Sequence, residues 1–250
     1  MLKSLKVFFD TEDLCRHDDS CDMCDFIARN RISISGDSYV GASDKYARNI
    51  KLECGEKTEY THKEFHEITG VEYLPHMEFE SANTLRRVID QYPQFLRNEG
   101  AVASRSRWLG EYHGANIAKG CIANVVIRWV DDDIGLGVFA MENLKSHVFI
   151  GEYTGIVKSR GRVLFNINDY CFSYPSGFWH SKVYMIDSSD KGNYTRFINH
   201  SDSPNLEPAY AIYKDIVHII FIAREFIPKG TQLTFNYGAA YWRRRKKSCN

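Results

Sequence analysis

The run with the most chemical potential in this chain is RFINHSDSPN, Arg196 through Asn205, which places an Asn-His-Ser triplet directly after two bulky apolar residues. An imidazole and a carboxamide beside buried chain can bind a ligand, move a proton or form a hydrogen-bonded part of the core. Activation of Ser201 by His200 is not expected, because adjacent residues seldom align a hydroxyl with an imidazole and no GxSxG turn is present. The triplet alone leaves a binding site and a core histidine open.

Two further runs carry the residue types of metal ligands. HKEFHE places His62 and His66 at helical i, i+4 spacing, but Lys63 stands where a zinc peptidase needs its glutamate. The DDD run at 131–133 points its carboxylates in different directions, which is typical of a solvated turn. We predict an exposed helical pair and a turn.

A zinc module built from cysteines is the remaining metal hypothesis. Cys21 and Cys24 form one CxxC, and Cys15 with His17 would complete four ligands. A convincing zinc module has two well-spaced pairs, and the second pair is missing. The sequence therefore favours no metal site.

The elements that must position the triplet are short strands. From about residue 116 the chain contains the β-rich runs ANVVIRWV, GVFA, SHVFIGEYTGIV, YCFSY, KVYMID, IVHIIFIARE and TQLTFNYG. Their spacing leaves no regular room for crossover helices, so we predict small, mostly antiparallel sheets rather than a doubly wound fold. GLG at 135–137 lacks a third glycine and precedes a strand, which excludes a dinucleotide fingerprint.

Residues 1 to about 115 are polar and irregular, with a crowded acidic opening between Asp10 and Asp25. One helix is predicted here, capped by Ser81 and carrying apolar residues from Leu85 to Tyr92 at helical spacing. We expect Pro93 to end or kink this helix, and its apolar face to dock on the second half of the chain.

Composition limits the class of protein. The chain has 250 residues, 44% of them hydrophobic, and 32 basic residues balance 32 acidic ones, so no global field favours nucleic acid or an anionic membrane. Its seven cysteines lack regular spacing, no secretory signal is visible, and no run reaches the roughly 18 to 20 apolar residues of a membrane span. We predict a soluble, cytoplasmic protein.

Four blocks occur together in a characteristic order: GLGVFA (135–140), GEYTGIV (151–157), DSSDKGNYTRFINHSDSPNLEP (187–208) and GTQLTFNYG (230–238). In this order and at about this spacing they resemble the SET-domain protein-lysine methyltransferases, over roughly residues 120–240. The resemblance implies a mainly β fold with additional helices, in which small curved sheets surround a pseudo-knot-like crossing. The Asn-His-Ser segment threads beneath the chain near FNYG, while Phe197 and Ile198 pack into the core.

The resemblance also implies the activity: methyl transfer from S-adenosyl-L-methionine to a lysine ε-amine. Tyr237 and Tyr153 are the implied catalytic residues, and Phe235, Tyr153 and Tyr241 are the implied substrate channel. Phe235 in place of tyrosine favours addition of more than one methyl group. The implied cofactor-binding residues are Gly135, Leu136, Gly137, Tyr170, Arg196, Asn199, His200 and Trp242.

The chain departs from the family in several places. Asn236 stands where many members have aspartate, and the cysteines of the zinc-binding pre-SET and post-SET modules are missing, Cys249 excepted. This pattern resembles the compact bacterial members, including chlamydial ones, some of which would be effectors delivered to a host nucleus. Trp242 and Tyr241 are then expected to close the site in place of the zinc module.

The implied substrate is a lysine-bearing basic protein, a histone or a bacterial histone-like protein. We divide the chain into 1–115, an N-terminal region of unknown role, 116–240, the SET domain, and 241–250, an aromatic then basic tail. RRRKK in that tail is either a solvated tail or a targeting or nucleic-acid-binding patch. A non-catalytic SET module that binds peptide or scaffolds a complex is the alternative function.

Overall fold

The computed structural model describes residues 33–34, 49–98, 100–159, 168–175 and 184–248. Within these ranges lie four helices, α1 (His62–Thr69), α2 (Ala82–Asn98), α3 (Gly100–Ala118) and α4 (Ala239–Ser248). None of these four is long and apolar enough to cross a membrane.

Strands dominate the described part of the chain, which confirms the prediction of a mainly β fold with additional helices. A short 3-10 helix, Tyr194–Phe197, precedes the Asn-His pair. The strands are β1 (Ser33–Ile34), β2 (Ile50–Cys54), β3 (Lys57–Tyr60), β4 (Glu72–Tyr73), β5 (Glu78–Phe79), β6 (Val125–Asp131), β7 (Gly135–Ala140), β8 (Phe149–Glu152), β9 (Ile156–Ser159), β10 (Cys171–Tyr174), β11 (Tyr184–Asp187), β12 (Lys191–Gly192), β13 (Asn199–His200), β14 (Leu206–Tyr213), β15 (Ile216–Ala223) and β16 (Thr234–Phe235).

The strands form several small sheets, as predicted. Their orders are β1-β5-β9-β11-β10, β3-β2-β6-β7 and β14-β15-β8, with β12-β4 and β13-β16 as separate pairs. The long pairings, such as β14 with β15 and β6 with β7, are antiparallel. The parallel pairings between described strands, such as β2 with β6, β5 with β9 and β13 with β16, are short.

Every predicted β-rich run contains a strand, but β14 was not predicted. It holds Pro208, which cannot donate to a ladder and is therefore confined to edge strands. β14 is an edge strand, bonded to β15 on one side only. Its two-residue connection to β15 uses Lys214 and Asp215 with φ of 49° and 62°. A hairpin turn of this kind usually contains Asn-Gly or Asp-Gly, so the sequence gives no turn signal here.

The two halves of the chain share one hydrophobic core. Ile50 and Phe65 from the N-terminal half belong to the same buried cluster as Val157 and Ile219. β2, β4 and β5 each pair with a strand beyond residue 120, namely β6, β12 and β9. The predicted boundary between residues 115 and 116 falls inside α3.

Helix α2 begins as predicted and ends later than predicted. The Ser81 hydroxyl accepts a hydrogen bond from the Thr84 amide at 3.1 Å, and the side chains of Leu85 and Val88 are buried in the shared core. The docking on the second half is thus confirmed. The helix does not end at Pro93 but continues to Asn98, so loss of one amide donor does not stop it; a kink at Pro93 stays a prediction.

Helix α3 was not predicted because its buried face is not apolar in the usual way. That face contains two glycines, Gly110 and Gly114, which bring the helix against β14. A Cβ at Gly110 would lie 1.7 Å from the Ile212 carbonyl oxygen, and one at Gly114 would lie 2.5 Å from the Tyr213 ring. The close approach of helix and strand therefore depends on glycine at both positions.

Substitution of Gly110 by alanine tests this packing. Although alanine favours a helix over glycine by about 1 kcal/mol, we expect Gly110→Ala to lower the free energy of unfolding by at least about 2 kcal/mol, because backbone must move. Chemical denaturation followed by circular dichroism measures it. The control Glu111→Ala, at an exposed position of the same helix, should change stability by less than about 0.5 kcal/mol. An unchanged stability of Gly110→Ala would contradict the close approach.

Candidate functional site

The chain that enters the Asn-His pair is held by the N-terminal strands. The Glu72 and Leu74 amides donate to the carbonyls of Asp190 and Gly192 at 2.9 and 3.0 Å. The Lys51 amide donates to the Tyr194 hydroxyl at 2.5 Å, and burial raises the pKa of Tyr194 to about 12. Residues 190–194 are thereby fixed before the chain reaches the predicted site.

The Asn-His pair lies directly beside the FNYG segment. Asn199–His200 pair in parallel with Thr234–Phe235, and the Ser201 amide donates to the Phe235 carbonyl at 3.1 Å. The Tyr237 hydroxyl donates to the Ile198 carbonyl at 2.9 Å. Two segments that are distant in sequence thus form one crossing, which we call the 199/235 crossing.

His200 is a hydrogen-bonded member of this crossing. Its Nδ1 accepts from the Tyr237 amide at 3.1 Å, and its Nε2 lies 3.3 Å from an Asp202 carboxylate oxygen. Because Nδ1 accepts, the proton of the neutral ring is on Nε2, where it donates to Asp202. His200 therefore orients the main chain at Tyr237. This contact gives the histidine a structural role at its position beside buried chain.

Asn199 connects the crossing to β7, the strand that contains the GLG block. Its side-chain amide donates to the Leu136 carbonyl at 3.0 Å. Gly135 has a left-handed φ of 76°, which favours glycine. A Cβ at Gly137 would lie 2.7 Å from the Gln232 side-chain nitrogen and 3.0 Å from the Asn199 one, so this glycine makes room for protein side chains.

Aromatic rings cover the crossing on the side of α4. Tyr237 contacts Phe235, His200 and Tyr241, with ring centroids 4.7, 5.3 and 4.8 Å away. Trp242 packs edge-on against His200 at 4.9 Å and against Tyr241 at 5.0 Å. Trp242 remains 39% exposed, so it offers an indole face at the edge of the site.

Tyr153 is buried where the chain leaves β8. Its hydroxyl donates to the Tyr170 carbonyl at 2.6 Å, and its ring contacts Phe172 at 5.3 Å. Burial raises the pKa of Tyr153 well above its ordinary value, and burial raises the pKa of Tyr237 in the same way. Both hydroxyls are therefore neutral at physiological pH.

Arg196 and Tyr170 pair with each other. The buried Arg196 guanidinium lies 4.0 Å from the Tyr170 ring centre, and its Nε and Nη2 donate to the carbonyls of Ser188 and Ser189 at 2.7 and 3.3 Å. Burial lowers the pKa of Arg196. Tyr170 is 41% exposed, so the outer face of its ring remains accessible.

The structure brings the predicted site residues into one connected group. Asn199 joins Leu136 to the crossing, and the rings of Phe235, Tyr237, Tyr241 and Trp242 follow in contact. The Phe235 ring lies 6.0 Å from the Phe172 ring, and Phe172 contacts Tyr153. Tyr153 reaches Tyr170, and Tyr170 reaches Arg196.

Two residues of this group were not predicted. Phe172, in the same DYCFSY run as Tyr170, bridges Phe235 and Tyr153, and alternation along that strand was its only signal. Asp187 accepts hydrogen bonds from Asn168 and from the Ser189 amide, both at 2.9 Å, and contacts Lys158. Burial alone would raise the pKa of Asp187, but these bonds lower it. Nothing in the sequence distinguishes this carboxylate, at the end of a strand, from one that has no such hydrogen bonds.

The other predicted groups lie elsewhere or outside the described ranges. Asp131–Asp133 form the β6–β7 turn, where the Asp131 carboxylate accepts from the amides of Asp133 and Ile134. His62 and His66 lie on α1, and no three His, Cys, Asp or Glu residues in the described part of the chain could hold a metal ion. The cysteine set near Cys21 and the acidic opening lie outside the described residues.

Comparison with known proteins matches this region to a family. Residues 135–238 match the SET domain model. Histone-lysine N-methyltransferase EHMT1 of Homo sapiens is 33% identical over 115 residues, covering 44% of this chain and 9% of the human protein. The putative histone-lysine N-methyltransferase ASHH4 of Arabidopsis thaliana is 37% identical over 109 residues, covering 41% of this chain and 30% of that protein.

A longer match is to histone-lysine N-methyltransferase Set8 of Drosophila melanogaster, 28% identical over 174 residues, covering 66% of this chain and 25% of the fly protein. Among solved structures, KRYPTONITE in complex with DNA, an H3(1-15) peptide and SAH matches with a TM-score of 0.39 and 25% identity, covering 46% of this chain and 23% of that chain. The matches thus span less than a third of the length of each of these relatives.

Tyr153, which is buried, and Tyr237, which is partly buried, are expected to lower stability at high pH. Because the pKa of each is raised on folding, the unfolded chain loses these protons first, and stability falls as pH rises above about 10. Urea unfolding between pH 9 and 11 measures the slope, and Tyr237→Phe should reduce it by up to about 1.4 kcal/mol per pH unit. Between pH 6 and 8 the free energies of unfolding of wild type and variant should change with pH in parallel. An equal slope of the two curves above pH 10 would contradict the burial of the Tyr237 hydroxyl.

Proposed function

We propose that this protein, whose residues 135–238 form a SET domain, is a protein-lysine N-methyltransferase that takes its methyl group from S-adenosyl-L-methionine. The observation that carries the proposal is the 199/235 crossing with its ring of aromatic side chains. Three of the four blocks meet there directly, and Tyr153 of the remaining block joins them through Phe172; all four blocks lie in the matched region. The relatives that share the region are named as histone-lysine N-methyltransferases.

The chemistry of the residues at the crossing fits this cofactor. Trp242 and His200 offer aromatic surface for adenine, and the half-buried Leu136 and Asn199 offer main-chain polar groups beside it. The electron-rich ring faces of Tyr237 and Tyr170 are attractive to a positively charged sulfonium. We propose Gly135, Leu136, Gly137, Tyr170, Arg196, Asn199, His200 and Trp242 as the cofactor-binding set.

Arg196 has an indirect part in this set. Its guanidinium nitrogens already donate to the carbonyls of Ser188 and Ser189, so its contribution is to support the Tyr170 ring from behind. The exposed face of that ring is the part available to a ligand.

The reaction requires a neutral lysine. When bound, S-adenosyl-L-methionine supplies a methyl group on a positively charged sulfonium. The channel residues would hold the lysine nitrogen with its lone pair toward that methyl group, so that transfer would form a carbon–nitrogen bond while the electrons of the broken carbon–sulfur bond stay on the sulfur. Keeping the amine neutral at pH 7 costs about 4 to 5 kcal/mol from a reference pKa near 10.4, so the channel must lower that pKa. Burial among Tyr153, Phe172 and Phe235 acts in this direction, because desolvation disfavours an ammonium.

The two tyrosine hydroxyls orient rather than react. Tyr237 and Tyr153 each donate their proton to a main-chain carbonyl, that of Ile198 and that of Tyr170. Each oxygen therefore has lone pairs left to accept an N–H of the substrate amine. An amine held in this way directs its own lone pair away from the hydroxyls and toward the methyl group, and such alignment supplies much of the rate of a bimolecular transfer.

Tyr241 and Trp242 are proposed to close the site. Tyr241 packs on Tyr237, and Trp242 packs on His200, so helix α4 covers both the lysine channel and the cofactor side. Residues 241–248 of the predicted tail belong to this helix, Ala239–Ser248.

The proposed substrate is a lysine in a basic protein, a histone or a bacterial histone-like protein. The division of the chain into 1–115, 116–240 and 241–250 stays a prediction, as do a bacterial effector role, a location in the cytoplasm or a host nucleus, and nucleic-acid binding by the tail. The N-terminal strands that hold residues 190–194 are proposed to support the crossing, which gives part of the first region a structural role.

The proposed function is tested by cofactor binding and by transfer. Calorimetric titration should show that S-adenosyl-L-methionine binds wild type, and that Asn199→Ala binds at least about tenfold more weakly, because the contact between Asn199 and Leu136 is lost. Transfer of radiolabelled methyl groups to a panel of basic proteins, core histones included, should fall at least about a hundredfold in Tyr237→Phe. Glu111→Ala, on α3, is the control for both measurements.

The outcomes separate two functions. Binding without transfer to any protein of the panel would favour a non-catalytic SET module that binds peptide. If the folded wild-type protein does not bind the cofactor, the proposal that it is a methyltransferase is overturned.

The residue at position 235 is proposed to limit how many methyl groups are added. Phe235 has no hydroxyl to hold an ordered water beside Tyr237, so the site has room for an amine that already carries a methyl group. We expect wild type to form dimethyl-lysine or trimethyl-lysine and Phe235→Tyr to stop mainly at monomethyl-lysine. Mass spectrometry of the product measures the states. Identical product distributions would contradict this role, and Phe235→Leu controls for loss of the ring.

A further inference from the structure

Three consecutive residues, Asn168, Asp169 and Tyr170, form a turn that three different parts of the molecule hold. Asn168 faces the core, where its side-chain amide donates to Asp187 at 2.9 Å. Its side-chain oxygen accepts from the Tyr170 amide at 2.8 Å, which closes the turn. We call this element the 168–170 turn.

The second contact of the turn is with the proposed catalytic centre. The Tyr170 carbonyl accepts the Tyr153 hydroxyl at 2.6 Å and the Ser188 amide at 3.2 Å, and the Tyr170 ring lies on Arg196. A displacement of the turn would therefore move the acceptor that orients the Tyr153 hydroxyl.

The third contact is with helix α4. Arg245 Nε donates to Asp169 Oδ1 at 3.2 Å, and Arg245 Nη2 contacts Asp169 Oδ2, so the guanidinium meets the carboxylate with two nitrogens. The same guanidinium lies 5.1 Å from the centre of the Tyr241 ring. Hydrogen bonding to Asp169 raises the pKa of Arg245, in keeping with an ion pair.

We propose that Asp169 and Arg245 are positioning residues for the methyl transfer: their ion pair ties α4 to the turn that receives the Tyr153 hydroxyl. This inference rests on the proposed function and adds to it the contact that sets the distance between two walls of the lysine channel. Tyr241 forms the wall on α4, and Tyr153, whose hydroxyl donates to the Tyr170 carbonyl, forms the wall beside the turn. The Asp169–Arg245 ion pair connects these two walls at the protein surface.

The size of the effect follows from exposure. Both side chains are 51% exposed, so the ion pair is screened by water and contributes little to global stability. Its two-nitrogen geometry is nevertheless directional, because a guanidinium fork fixes the carboxylate in plane. Loss of the pair should therefore let α4 move relative to the turn and weaken substrate binding. The bonds of Asn168 to Asp187 and of the Ser188 amide to the Tyr170 carbonyl still hold the acceptor of the Tyr153 hydroxyl, so the chemical step and folding should change little.

A charge-swap experiment tests the pair. The variants are Asp169→Arg, Arg245→Asp and the double variant, and Arg243→Asp, at an exposed position of α4, makes the same charge change outside the pair. The KM for the best substrate of the basic-protein panel should rise about three- to tenfold in each single variant, while kcat stays within about twofold. The double variant should return to within about twofold of wild type, and Arg243→Asp should resemble wild type.

Hydrogen exchange of the amides of residues 239–248 provides a readout that does not depend on activity. Exchange should be faster in both single variants and return toward the wild-type rate in the double variant. Single variants with unchanged exchange and unchanged KM would overturn the positioning role while leaving the methyltransferase intact. A parallel rise of KM in Arg243→Asp would assign the effect to net charge instead. Failure of wild type to transfer methyl groups to any protein of the panel would overturn both proposals.

Discussion

The 199/235 crossing is the constraint on which the rest of the structure depends. Its strand pairing and the bond from the Ser201 amide to the Phe235 carbonyl are main-chain hydrogen bonds, and the His200 and Tyr237 side chains add two more bonds, so the paths of both segments are fixed. The side chains then act from a fixed frame: Asn199 reaches β7, and Tyr237 reaches back to Ile198. Under the proposed function, the limited freedom of this frame is what would hold an amine and a methyl donor in line.

The grouping of the predicted site residues was more predictable than the fold that supports it. Asn199, Tyr237 and Tyr153 could be expected to belong to one group because four short blocks carry that pattern, while their roles stay a prediction. Asn168 and Asp187, which hold the turn that receives the Tyr153 hydroxyl, could not be identified. They bond to each other across the fold, and a polar residue at the end of a strand looks the same in sequence whether or not it has such a bond.

The elements that escaped prediction did so for physical reasons that differ between them. Helix α3 buries glycines against a strand, so its packing depends on the absence of side chains, which hydrophobic periodicity does not detect. β14 contains a proline that only an edge position tolerates, and its turn places Lys214 and Asp215 in a conformation usually left to glycine or asparagine. In each case a tertiary contact overrides the local preference.

The β14–β15 hairpin lies between the two segments of the crossing and thereby sets an order of assembly. Its eight facing residue pairs are local in sequence, whereas the crossing joins residues 199–200 to 234–235. Zipping of the hairpin brings those distant segments close together and shortens the loop that remains to be closed. The crossing can close only once both segments are present, so a nascent chain that ends inside β15 lacks residues 234–235 and has no crossing.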